Sequence, residues 1–126
     1  MKPVVYDAAV LVAADRNNRS VWAEHRVRLE ASLAPMIPTP VVAQVSRAPS
    51  QANLRRLLRG CEVVAFDETD AHTVGRLLAA SGTSDVIDAA LVVLAARRGA
   101  DVQTGDGDDI RRLVSASGAP VDVHEV

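Results

Sequence analysis

The segment from Ser84 to Asp106, SDVIDAALVVLAARRGADVQTGD, decides the fold. Ser84 offers an oxygen to the free N–H groups of a helix start. Asp85–Arg98 is the most apolar helical pattern in the chain, closed by Arg97, Arg98 and Gly99. The stretch Ala100–Gln103 follows as a strand and gives way to Thr104-Gly105-Asp106. A long helix that feeds directly into a short strand is half of a crossover unit, the connection that parallel strands require.

The same alternation extends in both directions. Strands are predicted near Pro3–Tyr6, Met36–Pro38, Glu62–Ala65 and Val121–Val123. Ser20 caps a predicted helix to about Ala34, and Thr39 followed by Pro40 starts one that runs to about Arg47. Pro49 ends that segment, and Asn53–Arg59 is a helix stopped by Gly60. A helix after Asp67 reaches about Ser81, with Gly82 as its terminator, and the last spans roughly Asp108–Ser117. The reading is α/β, with one domain over residues 1–126 and a mostly parallel five-stranded sheet flanked by helices. There is no internal repeat, low-complexity tract or linker.

Composition narrows the functional classes. The chain is 126 residues long and 48% hydrophobic, enough for one packed core. It holds one Trp, one Tyr and one Phe, so the core must come from Val, Leu, Ile and Ala, which argues against aromatic platforms for single-stranded nucleic acid. A net charge of −2 gives no global basic field, so any contact with RNA must be local. Cys61 is the only cysteine, which excludes an internal disulfide and a cysteine zinc cluster and fits a reducing cytoplasm. The N-terminal apolar stretch, broken by Asp7 and Asp15, is too short for a signal sequence or a membrane span.

Four acids stand where elements begin or end. Asp7 lies just past the first strand and Asp106 just past the fourth, at the carboxyl edge where open parallel sheets bind ligands. Asp85 and Asp88, three residues apart on one helical face, open the helix that feeds the fourth strand. Carboxylates gathered there repel one another unless a cation compensates them. An oxygen-only set without a Cys or His cluster selects Mg²⁺ or Mn²⁺ over zinc.

Each of these residues has a structural reading as well, since Asp is common at helix starts as a cap. Asp108 and Asp109 read as first-turn helix residues, and His25, His72 and His124 as surface or boundary residues with no ligand spacing. Cys61 reads as a small buried hydrophobe, and Trp22 as a core or interface residue.

Taken together, Val-Val-Tyr-Asp7-Ala-Ala, Pro-Thr-Pro-Val-Val-Ala-Gln44-Val, Ser-Asp85-Val-Ile-Asp88-Ala-Ala and Thr104-Gly-Asp106-Gly-Asp-Asp resemble a PIN-domain protein, more narrowly the VapC toxin of a type II toxin–antitoxin pair. The resemblance implies a Mg²⁺-dependent endoribonuclease in which Asp7, Asp88 and Asp106 match the first, third and fourth acids and hold the metal. Asp85 is then an auxiliary ligand, and Thr104 orients a carboxylate or a metal-held water, or stabilises the turn. Gln44 stands where the second acid is usually Glu. It brings no charge and cannot act as a base. Rim arginines among Arg16, Arg19, Arg47 and Arg111 are candidates for substrate phosphates. The implied partners are RNA, a small antitoxin that covers the acidic cleft, and a second copy in a homodimer. The rival reading is a PIN-like interaction module impaired by Gln44. A receiver or haloacid-dehalogenase-like phosphatase needs a lysine near the site, and Lys2, the only one, precedes the first strand.

Overall fold

The computed structural model describes all residues from Met1 to Val126. Its strands are β1 (Val4–Tyr6), β2 (Met36–Pro38), β3 (Glu62–Val64), β4 (Asp101–Thr104) and β5 (Val123–Glu125). The helices are α1 (Ala8–Asp15), α2 (Arg19–Glu30), α3 (Thr39–Val45), α4 (Ala52–Arg59), α5 (Glu68–Ser81), α6 (Val86–Arg98) and α7 (Gly107–Ser117). All strand pairings are parallel, in the order β3-β2-β1-β4-β5. The chain steps outward from β1 to β3, then returns to the other side of β1 for β4 and β5. The connections after β1 and β4 therefore diverge and leave a crevice at their carboxyl ends.

The core is one cluster of 26 buried residues, almost all aliphatic. The centre of α6 is buried nearly all round, as expected of a helix against the middle of the sheet, with Ala89, Ala90, Leu91, Val92, Leu94 and Ala95 all buried. Gly82 and Gly99 close α5 and α6 in the left-handed conformation, at φ 69° and 62°. Gly60 acts differently. Its φ is −89°, and an added Cβ would meet His25 Nε2 at 3.1 Å and Leu29 Cδ1 at 3.2 Å, so close approach rather than backbone freedom requires glycine there. No single helix is long and apolar enough to cross a membrane.

Several local expectations shift. The helix α1 is absent from the sequence reading because Ala8–Asp15, AAVLVAAD, is apolar without a helical period. Asn18, not Ser20, caps α2 through its bond from Val21 N, and Asp85, not Ser84, caps α6. Thr39 is the first residue of α3, preceded by Pro38 as N-cap, and α3 ends at Val45. The strand expected at Val121–Val123 pairs instead at Val123–Glu125, where the ladder to β4 is set by Val102 opposite Val123. His25 is neither surface nor boundary: it is 2% exposed, and its Nδ1 lies 3.0 Å from Tyr6 Oη. Burial holds its pKa below the usual histidine value, while the Tyr6 phenol is pushed up to about 12 by burial.

Candidate active site

Asp7 is held rigidly. It leaves β1 with its N–H donating to Gln103 O at 3.0 Å, and its Oδ1 caps α1 by accepting from Ala8 N at 2.6 Å. Its Oδ2 accepts from Thr104 Oγ1 at 2.5 Å, and the same Oγ1 accepts from Asp106 N at 3.0 Å. Thr104 is fully buried, so this hydroxyl ties the end of β1 to the turn after β4 in a site without water competition. Gly105 permits the turn to pass close to α1, because a Cβ there would meet the Ala9 Cβ at 2.8 Å.

Opposite Asp7, two helix starts bring further acids. Asp88 sits in the first turn of α6, half-buried, and Asp106 is the N-cap of α7 without a capping side-chain bond. One ligand oxygen from each of Asp88, Asp106 and Asp109 falls within 4.8 Å of the others. Asp109 occupies the first turn of α7, as its sequence position predicts, and the packing of α7 on α6 makes it a neighbour of Asp88. The only prior signal was its three-residue spacing from Asp106. Asp85 contributes differently: its Oδ1 accepts from Ile87 N and Asp88 N, both at 3.0 Å, as the cap of α6.

The electrostatics show uncompensated charge. Asp88 is pushed up to about 7 by burial first, and then by the charges of Asp85, Asp7, Asp106 and Asp109. Asp106 is also raised, chiefly by a side-chain hydrogen bond to Asp109 and secondarily by desolvation and charge repulsion. The N-termini of α1, α6 and α7 all face this edge and supply partial positive charge, yet not enough to keep Asp88 in the ordinary carboxylate range. An oxygen-only donor set in which Asp88 is pushed up to about 7 fits a hard divalent cation, which would take the place of that proton.

Gln44 lies exposed on α3, the helix that leaves the carboxyl end of β2 beside β1, and it makes no side-chain hydrogen bond. None of the arginines expected at the rim lines the groove beside Asp88 and Asp109. Arg47 bonds the carbonyls of Ala43 and Ser46, Arg111 pairs with Glu125, and Arg19 lines a concavity of about 540 Å³ beside Trp22 and Arg56. Arg16 follows the far end of α1. A smaller groove of about 290 Å³ opens from the acids, with Thr83, Ser84 and Asp85 on one wall and Asp109, Arg112 and Leu113 on the other. An open groove of this kind admits a polymer, whereas an enclosed cavity would not.

The architecture is a PIN-like α/β fold, and chains of solved VapBC complexes share it. A chain of VapBC2 from Rickettsia felis, in its complex with a promoter DNA fragment, superposes with a TM-score of 0.71 at 14% identity, covering 98% of each chain. DNA-bound VapBC from Salmonella typhimurium gives 0.64 at 14% identity over 99% of this chain and 98% of that one. PAE2754 from Pyrobaculum aerophilum gives 0.59 at 19% identity over 96% and 90%. No family model and no curated protein matches the sequence. At such identities the likeness is one of fold, and the chemistry must be argued from the side chains.

Proposed function

We propose that the protein is a divalent-metal-dependent endoribonuclease, the toxin half of a type II toxin–antitoxin pair acting in the cytoplasm. The observation that carries this reading is the convergence of Asp88, Asp106 and Asp109 within 4.8 Å, beside Asp7, at the crevice of the sheet. Asp7, Asp88 and Asp106 would hold Mg²⁺ or Mn²⁺, with Asp109 as a further oxygen donor that the sequence reading did not include. The bound ion supplies the positive charge that polarises a phosphate and lowers the pKa of a water.

The chain's own residues then have separate tasks. Thr104 fixes the rotamer of Asp7, so that carboxylate is presented without rearrangement. Asp85 orients the first turn of α6 and through it Asp88, and its free Oδ2 is the oxygen left for an auxiliary contact. Asp88, whose carboxyl is pushed up to about 7 by burial and by the neighbouring acids, would give up its proton on taking a cation. Gln44, an amide where the resemblance leads one to expect a Glu, adds no negative charge to the set.

The partner expected for such a toxin is a small antitoxin whose segment covers the crevice, an Arg among the acids neutralising what a cation otherwise neutralises. A homodimer is the expected assembly, and residues 1–126 are read as one PIN-like domain. Purified protein incubated with total RNA and tRNA, with and without Mg²⁺ or Mn²⁺, tests the reading beside an Asp88→Asn variant. Metal-dependent cuts that vanish in the variant are expected. Folded, antitoxin-free protein that cuts no RNA under any metal condition sinks the proposal in favour of the interaction module.

A further inference from the structure

We infer that Arg112 holds the RNA phosphate next to the one cleaved, making the groove between the α5–α6 connection and α7 a nucleotide subsite. This assignment rests on the nuclease reading and names how its substrate is gripped. Three observations carry it. Arg112, itself exposed, lies three residues after Asp109 on α7 and lines the groove, and no other cation lines it. Its neighbour Arg111 is already engaged, at 3.2 Å from Glu125 and 3.7 Å from Asp108, whereas Arg112 forms no ion pair. The remaining charges of the groove, Asp85, Asp88 and Asp109, are all negative.

That arrangement poses a physical problem which Arg112 solves. A single-stranded RNA carries a negative charge at every phosphate, so a chain laid through the groove meets three carboxylates. A cation among the acids offsets repulsion at the cleaved phosphate only; the neighbouring phosphate needs its own counter-charge. A guanidinium grips two phosphate oxygens at once, and because Arg112 is not committed to a carboxylate, none must be released first. The volume of about 290 Å³ is close to the lower end of small-molecule sites, of the order of one nucleotide. Ser84 and Thr83 add hydroxyls on the facing wall, where a ribose or base edge would lie.

The test combines kinetics with binding. Cleavage by Arg112→Ala should show KM raised roughly tenfold with kcat within about twofold of wild type, the signature of lost substrate grip. Binding of a fluorescein-labelled single-stranded RNA of mixed sequence is measured by anisotropy in an Asp88→Asn background, at fixed Mg²⁺ and varied KCl. Removing one phosphate contact should flatten the slope of log K against log salt by about 0.7. Arg112→Lys should retain that slope while recovering only part of the affinity, and Arg111→Ala should leave the slope unchanged. A structural role would move the thermal midpoint and spare the slope. If wild type cleaves RNA while Arg112→Ala keeps both KM and salt slope, the subsite is overturned and the nuclease stands. If wild type neither cleaves nor binds RNA, both readings fall together.

Discussion

Strand β4 has an aspartate at each end of its course, and the two ends treat their charge in opposite ways. Asp101, at the start, is buried, with Lys2 Nζ at 3.0 Å, His124 Nε2 at 3.1 Å and the Asp122 N–H at 3.2 Å. Burial alone would raise its pKa, but the bonds from His124, Lys2 and Asp122 outweigh it and hold the carboxyl below the ordinary value. Asp106, just past the other end, faces Asp109, Asp88 and Asp7, and its pKa is raised. One edge of the sheet is electrostatically finished and the other is not. A fold that pairs its acids at one end has left them unpaired at the other at a cost in stability, which is the pattern of a site awaiting a cation or a substrate.

The largest effect expected from breaking this contrast is on catalysis. Asp88→Asn should lower metal-dependent RNA cleavage by about 10²–10³-fold while leaving the fold intact. Asp101→Ala should do the reverse, with near wild-type cleavage per folded molecule and a loss of about 2 kcal/mol, discounted because Lys2 and His124 are half exposed. Cleavage rates and urea unfolding of both variants decide the matter. Equal activity losses in the two would erase the distinction between the ends of β4.

The same contrast predicts opposite pH behaviour in metal-free protein. Asp88 is raised above its unfolded value near 4, so ionising it penalises the folded state; the penalty is full above about 7 and disappears as pH falls toward 4. Stability should therefore rise by the order of 2 kcal/mol between about pH 8 and pH 5, after allowance for screening. Asp101 is lowered, so its contribution is present above its unfolded value and is lost only as pH falls below about 4. Mg²⁺ should raise the thermal midpoint more at pH 8 than at pH 5, because at the lower pH protons already compensate Asp88. Calorimetry with and without Mg²⁺ across this range checks the sign, and a midpoint insensitive to Mg²⁺ at pH 8 counts against a cation site. At Thr104 the expected effect is smaller. Thr104→Val removes the donor to Asp7 Oδ2 and the acceptor for Asp106 N, and should lower cleavage about tenfold and stability by about 1–2 kcal/mol. A variant with full activity would mean that Asp7 needs no fixing.

The difference between the two ends was only partly legible in the sequence. The edge on which Asp7, Asp88 and Asp106 fall follows from strand ends and one strongly apolar helix, both local patterns. The five parallel strands follow from the same alternation of elements. Asp109 escaped because an acid in a helix first turn is ordinary, and only the packing of α7 on α6 gives it carboxylate neighbours. The finished end escaped entirely. The pairing of Asp101 with Lys2 and His124 joins three separate strand regions, and nothing in a linear sequence marks such a contact. The helix α1 escaped for another reason: buried on several sides, it lacks the polar face that makes a helix visible, and its cap, Asp7, looked like a site residue alone. His25 likewise gives no sequence sign of the Tyr6 hydroxyl that accepts it into the core.

Gln44 allows the smallest and sharpest test of the unfinished end. It is exposed on α3, bonded to nothing, and isosteric with the Glu that the family resemblance leads one to expect. Gln44→Glu should therefore leave stability within about 0.5 kcal/mol of wild type, as surface changes usually do. If α3 lies close enough to share the crevice's field, the added charge should tighten Mg²⁺ binding by a fewfold, roughly 1 kcal/mol or less, and raise the pKa of Asp88 further in the metal-free state. Titration calorimetry reads the first effect, and the carboxyl ¹³C shift of Asp88 followed by NMR reads the second. Both must move together, because one field causes both. A change in neither would show that the position of the usual second acid is electrostatically outside this site, and that the charge gathered by Asp7, Asp88, Asp106 and Asp109 is all that a cation meets here.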